Sequence, residues 1–108
     1  MTKQDFLFLD ARSGEMSEVM NVVDGSSEMM LQVGQLTEDA VKLTVQGRAD
    51  LLSDDWQPIM AVDLSHVETV TEITAAGLYF VPIGGIMQVR VSNSGTAGTV
   101  KVYGRINV

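Results

Sequence analysis

The 108 residues predict an all-β protein, an antiparallel β-sandwich of the jelly-roll or immunoglobulin-like kind with about nine short strands. Three observations carry this. Apolar and polar residues alternate with period two in several segments; β-branched residues crowd the second half; and Gly, Asn, Ser and Pro recur between the apolar runs. Apolar residues make up 45% of the chain and charged residues 19%, so a packed core is expected rather than disorder. The length fits a single domain over 1–108, within which 1–30 reads as strand, arm or interface segment.

Taken in order, Phe6 to Leu9 is the first short apolar strand. Met16, Val19, Met20 and Val23 lie at helical spacing with Ser13 as a cap, but Gly25-Ser26-Ser27 ends the pattern within about three turns, and Val19, Val22 and Val23 favour a strand. Met29 to Val33 follows. Leu43, Val45 and Gly47 alternate with Thr44, Gln46 and Arg48, as a half-buried strand requires. Trp56 to Val62 and Val67 to Ile73 read as strands from their aromatic and β-branched content, and Leu78 to Val81 as another, followed by a turn at Pro82 and Gly84-Gly85. Ile86 to Val91 is expected to pair antiparallel with Thr99 to Arg105 through a hairpin loop over 92–98. Leu43 to Ala49 and Val100 to Ile106 share the pattern apolar-x-Val-x-Gly-Arg-apolar. That predicts two strands of one design, each with a bulge or a close backbone approach at its glycine, Gly47 or Gly104.

Seven Lys and Arg stand against 14 Asp and Glu, a net charge of −7, which argues against a nucleic-acid partner. The whole excess lies before Trp56; the second half is neutral and more apolar, as a core or docking segment would be. There is no cysteine, hence no disulfide and no thiolate chemistry. The apolar run at Phe6 to Leu9 is too short for a signal h-region or a membrane span, so a soluble chain without a membrane partner is expected. A small cysteine-free domain holds itself by packing, by oligomerisation or by both, and a homo-oligomer is the expectation.

The residues offer little for catalysis. His66 is the sole histidine, Gly-x-Ser-x-Gly is absent, and no set of imidazoles exists to hold zinc. Asp50, Asp54 and Asp55 supply oxygen ligands of the kind calcium accepts but lack the Gly and bidentate Glu of an EF-hand. No enzyme activity, catalytic residue, metal or cofactor is therefore predicted. Trp56 and Tyr79 are the aromatic candidates for stacking a sugar ring, with core or sheet-surface packing as the plainer role for each. Arg48, Arg90 and Arg105 are the candidate interface residues, since a cationic pair within an acidic chain can meet a carboxylate of a partner; the plainer role for Arg90 and Arg105 is cross-strand pairing with Glu68 or Glu72.

From Leu31 onward an ordered series of motifs appears: Leu31-Gln32-Val33-Gly34, Leu43-Thr44-Val45-Gln46-Gly47-Arg48, Asp54-Asp55-Trp56, the Thr-rich run Thr69 to Thr74, Ala76-Gly77-Leu78-Tyr79, Gly85-Ile86-Met87-Gln88-Val89-Arg90-Val91 and Gly98-Thr99-Val100-Lys101-Val102-Tyr103-Gly104-Arg105. This order resembles the small accessory β-sandwich proteins of tailed-bacteriophage and prophage virions, of the head-decoration, head-fibre or tail type. The resemblance implies a non-enzymatic virion structural protein assembled in the host cytoplasm, with phage capsid or tail proteins as partners. Binding to the head lattice is the leading reading. A tail-tip or head-fibre module that binds host cell-surface carbohydrate is the alternative. The resemblance carries no catalytic residues across, and the Met-rich, acidic stretch before Leu31 departs from the pattern.

Overall fold

A computed structural model describes residues 3–12, 16–23, 26–34, 36, 41–52, 54–94 and 99–107. Among them are ten strands and no helix. The strands are β1 (Lys3–Arg12), β2 (Met20–Asn21), β3 (Glu28–Gly34), β4 (Leu43–Arg48), β5 (Gln57–Ile59), β6 (Ala61–Asp63), β7 (Glu68–Val70), β8 (Gly77–Pro82), β9 (Gln88–Asn93) and β10 (Val100–Asn107). They form a six-stranded sheet in the order β1-β10-β3-β8-β6-β7 and a four-stranded sheet in the order β2-β9-β4-β5, antiparallel throughout.

The sandwich follows from the alternation. In β4 the side chains of Leu43 and Val45 are buried while Thr44, Gln46 and Arg48 are half-exposed, and β9 repeats this with Val89 and Val91 against Gln88, Arg90 and Ser92. Facing them across the core, Leu31 and Val33 of β3, Tyr79 and Val81 of β8, and Val100 and Val102 of β10 are all buried. Two sheets with one apolar face each cover one another.

The expected hairpin between Ile86–Val91 and Thr99–Arg105 does not form. β9 lies in the four-stranded sheet and pairs with β2 and β4, whereas β10 lies in the six-stranded sheet between β1 and β3. The connection therefore crosses from one sheet to the other; its residues 95–98 lie outside the described residues, as do Ser13 and Gly25. Alternation reports which face of a strand is buried, and it reads the same whether two strands are neighbours or face each other across the core. The run Trp56 to Val62 also divides. β5 stays in the four-stranded sheet at its edge, and after Met60 the chain enters the six-stranded sheet as β6. Pro58, which has no N–H to give, sits on that edge strand. Within Val67 to Ile73 only Glu68–Val70 is a strand, and Ile73 instead makes an isolated bridge to Leu43 of the opposite sheet, N–H to carbonyl in both directions at 2.9 and 2.8 Å. In the helix-or-strand stretch near the N-terminus, Met20–Asn21 is a short edge strand and the residues around it attach individually to the β9 segment. Ser17 N–H donates to the Val91 carbonyl and Val22 N–H to the Met87 carbonyl, each at 2.8 Å.

The glycines of the two like-patterned strands mark close approach, as the pattern requires. A Cβ on Gly47 would lie 2.6 Å from Ile59 Cδ1 and 3.0 Å from Ile86 Cγ2, and one on Gly104 2.6 Å from Phe8 Cε2 and 3.0 Å from Met29 Sδ. The two strands occupy different sheets, each between two neighbours.

Candidate functional site

The polar ladder on the outside of the four-stranded sheet is the most organised cluster of side chains on the molecule. Antiparallel register sets Gln46 of β4 opposite Arg90 of β9 and Arg48 opposite Gln88. The side chains follow the register: Arg90 Nε donates to Gln46 Oε1 and Arg48 Nε to Gln88 Oε1, both at 2.8 Å. Gln88 Nε2 continues the chain by donating to Asn21 Oδ1 of β2 at 2.7 Å. Arg48 also reaches forward to the β4–β5 loop, with Nη1 3.3 Å from Asp54 Oδ1.

That loop returns Trp56 onto the same face. Asp50 Oδ1 accepts from the Leu52 N–H at 2.8 Å, the Trp56 N–H donates to the Asp54 carbonyl at 3.0 Å, and Gln57 Nε2 donates to Asp55 Oδ1 at 2.7 Å. Each aspartate is thus used in shaping or tethering the loop. Among the described residues no three acids or histidines come together as a metal-ligand set. The indole, half-buried, lies under both guanidinium groups, with the Arg48 carbon 4.7 Å and the Arg90 carbon 4.2 Å from the ring centroid. Partial burial, then the like charge of Arg48, lowers the Arg90 pKa below the ordinary arginine value, with Asp54 opposing. Arg90 keeps its charge at neutral pH. The ring quadrupole of Trp56 and the carboxylate of Asp54 hold two like charges side by side.

Three of the five residues singled out in the sequence therefore meet here: Arg48, Arg90 and Trp56. The other two do not. Arg105 is on the outer face of the six-stranded sheet with Nε 3.5 Å from Asp5 Oδ1, the Arg90 and Arg105 strands are not neighbours, and these arginines meet Gln46, Trp56 and Asp5 rather than Glu68 or Glu72. Tyr79 is buried in the core, its hydroxyl donating to the Ala75 carbonyl at 2.7 Å, and burial first, then the Asp63 carboxylate, raises its pKa. Its ring is closed to a ligand. Reading the sequence alone does not find Gln46, Gln88 and Asn21; period two places the two glutamines on polar faces, but only the register makes them partners of the arginines.

Beside this cluster, at the end of the sandwich where β4 finishes, a groove of about 610 Å³ runs over Pro58, Ile59, Pro82 and Ile86, with Arg48 and Asp50 on its rim. Leu52, in the same loop, is almost wholly exposed. On the opposite end, the β6–β7 turn holds His66 Nδ1 2.9 Å from Asp63 Oδ2, while Asp63 Oδ1 accepts from the Ser65 N–H at 2.9 Å. Their hydrogen bond raises the His66 pKa and lowers that of Asp63. His66 is largely exposed, and Val67 beside it takes φ 51°, an uncommon value for a β-branched residue.

Two solved structures share this fold. The SPBc2 prophage-derived protein YomS superposes with a TM-score of 0.82 at 17% identity, over 97% of this chain and 92% of its own. The PBSX exported protein XepA superposes with a TM-score of 0.83 at 22% identity, over 97% of this chain and 37% of its own. The whole sandwich thus corresponds to little more than a third of XepA and to nearly all of YomS. No family model and no curated protein matches the chain.

Proposed function

We propose that the chain is a non-enzymatic structural protein of a bacteriophage or prophage particle, and that it attaches to the head lattice as a decoration or accessory subunit assembled in the host cytoplasm. The fold it shares with proteins of two prophages, over nearly its full length, supports a phage setting. The observation that carries attachment as the activity is the Arg48–Trp56–Arg90 cluster. Trp and Arg are the side chains most enriched where protein interfaces concentrate their energy, and here both arginines are held in place by glutamine partners before any partner arrives. The carbohydrate alternative is less well served by the same geometry. Tyr79 is buried, and a sugar stacking on Trp56 would compete with guanidinium groups 4.2 and 4.7 Å from the ring.

The test is co-sedimentation of the purified chain with particles that lack it. Trp56→Ala and Arg90→Ala are expected to weaken attachment by about tenfold or more each, the scale of an interface hot spot. Attachment unchanged in both variants, or no attachment by the unaltered chain, overturns the proposal. Binding of Trp56-dependent character to cell-wall glycan instead of particles would favour the host-binding reading.

A further inference from the structure

The two outer faces of the sandwich differ in kind. On the four-stranded sheet the outward positions of β4 and β9 are Thr44, Gln46, Arg48, Gln88, Arg90 and Ser92, all polar or charged, with Trp56 laid against the two arginines. On the six-stranded sheet the outward positions of β1, β10, β3 and β8 include Leu7, Tyr103, Met30, Leu78 and Phe80, with Leu7 42% and Leu78 47% exposed. An antiparallel sheet with one face in water normally shows polar residues there. Contiguous exposed apolar side chains on such a face mark a contact surface.

We infer that this face is where a second copy of the chain packs. Three features favour a copy over an unlike partner. Register aligns Leu7, Tyr103, Gln32 and Leu78 in one row across four neighbouring strands, with a leucine at each end and the polar pair in the middle. A twofold axis running along the strands between β10 and β3 therefore sets Leu7 of each copy over Leu78 of the other. Among the described side chains of the face the charged ones are Asp5 and Glu28 against Lys101 and Arg105, a balance of zero in a chain of net charge −7, so these groups do not set one copy against another. Finally, four strands at about 4.8 Å spacing and about six residues of length make a patch of roughly 400 Å² in projection and on the order of 600 Å² of accessible surface. Two copies would bury about 1,200 Å², at the lower bound of specific interfaces and in the range of a dimer of modest affinity.

Both halves of the sequence build this face, Asp5, Leu7 and Met30 from the acidic half and Leu78, Phe80 and Tyr103 from the neutral one.

Sedimentation equilibrium at about 100 μM is expected to give twice the 11.7 kDa chain mass. Leu7→Lys with Leu78→Lys should return the mass to that of one chain with an unchanged circular-dichroism spectrum. Should that variant fail to fold, Arg105→Glu tests the same face without touching its leucines: it takes the balance from zero to −2 and should weaken association at least tenfold at low salt. Arg48→Ala with Arg90→Ala, on the other sheet, should leave the mass unaltered, which separates this interface from the proposed attachment site. The chain has no cysteine, so Leu7→Cys with Leu78→Cys tests the register directly. Within one copy these positions are three strand spacings apart, about 14 Å, whereas across facing sheets their Cα atoms are about 10 Å apart, so a bifunctional thiol reagent with a spacer of about 5 Å should yield cross-linked dimers. A single-chain mass at 100 μM overturns the inference, and so does a doubled mass that survives the lysine or glutamate substitutions. A doubled mass without cross-linking overturns the twofold register.

Discussion

Gly104 lies in β10 between β1 and β3 with no room for a side chain, and replacing it by alanine measures how tightly this part of the core is closed. The added methyl would sit 2.6 Å from Phe8 Cε2 and 3.0 Å from Met29 Sδ, where carbon atoms prefer about 3.5–4.0 Å. Relief requires a shift of about 1 Å by a phenylalanine ring that is itself 3% exposed and packed in the core. Overpacking of this kind costs about 1–3 kcal/mol, and the better strand propensity and lower unfolded-state entropy of alanine return about 0.5–1 kcal/mol. The net expectation is a loss of about 1.5 kcal/mol, or roughly 6–10 °C in Tm for a domain of this size, read by urea denaturation and thermal melts. Two other glycines calibrate the result. At Gly47 the nearest obstacle is the tip of Ile59, which is half-buried beside the open groove and can turn aside, so Gly47→Ala should cost less than Gly104→Ala. At Gly34 nothing lies within 4 Å of the added methyl, and Gly34→Ala should be neutral or stabilise by up to about 1 kcal/mol. A Gly104→Ala protein as stable as the unaltered chain, or a series in which Gly34→Ala is the most damaging, refutes the packing of β10 against Phe8 and Met29.

Three further outcomes are expected. Trp56 is the only tryptophan, so its emission reports on the arginine cluster: Arg90→Ala should shift the emission to longer wavelength by exposing the ring and should lower stability by about 0.5–1 kcal/mol, and an unmoved spectrum contradicts the stacking. Ser17 is buried, with Oγ accepting from the Val91 N–H at 2.8 Å; Ser17→Ala leaves that donor unsatisfied and should cost about 1–2 kcal/mol in chemical denaturation, whereas no change would mean the contact is not made in solution. The His66 pKa is raised by Asp63, so the stability this pair contributes is present below the unfolded histidine pKa and is lost as pH rises through the folded one. Between about pH 6 and 8 the unaltered chain should lose a little stability that His66→Ala does not lose, and parallel pH profiles of the two proteins would remove the pair from the account.

Much of this architecture is legible in single residues. Leu43, Val45, Val89, Val91, Val100 and Val102 alternate with polar neighbours, and each is fully or nearly fully buried, because a side-chain period of two leaves a strand no other way to hide its apolar face. Trp56, Arg48 and Arg90 stand out as an indole and two cations in an acidic chain, and all three lie in one cluster. The illegible part is who meets whom. Arg90 and Arg105 stand in strands that follow one another in the chain, yet the two strands belong to different sheets. Trp56 to Val62 reads as one strand although it serves both sheets, since Pro58 and Met60 mark an edge and a crossing only once neighbours exist.

The amino-acid order by itself determines the all-β class, the inward face of the central strands and the two glycines that permit close packing, all of which follow from local alternation and backbone sterics. Tertiary structure decides the strand neighbours, the union of Arg48 and Arg90 over Trp56, and the gathering of Leu7, Tyr103 and Leu78 into one row. Those depend on loop paths and on register between residues far apart in the chain, and no local pattern encodes either.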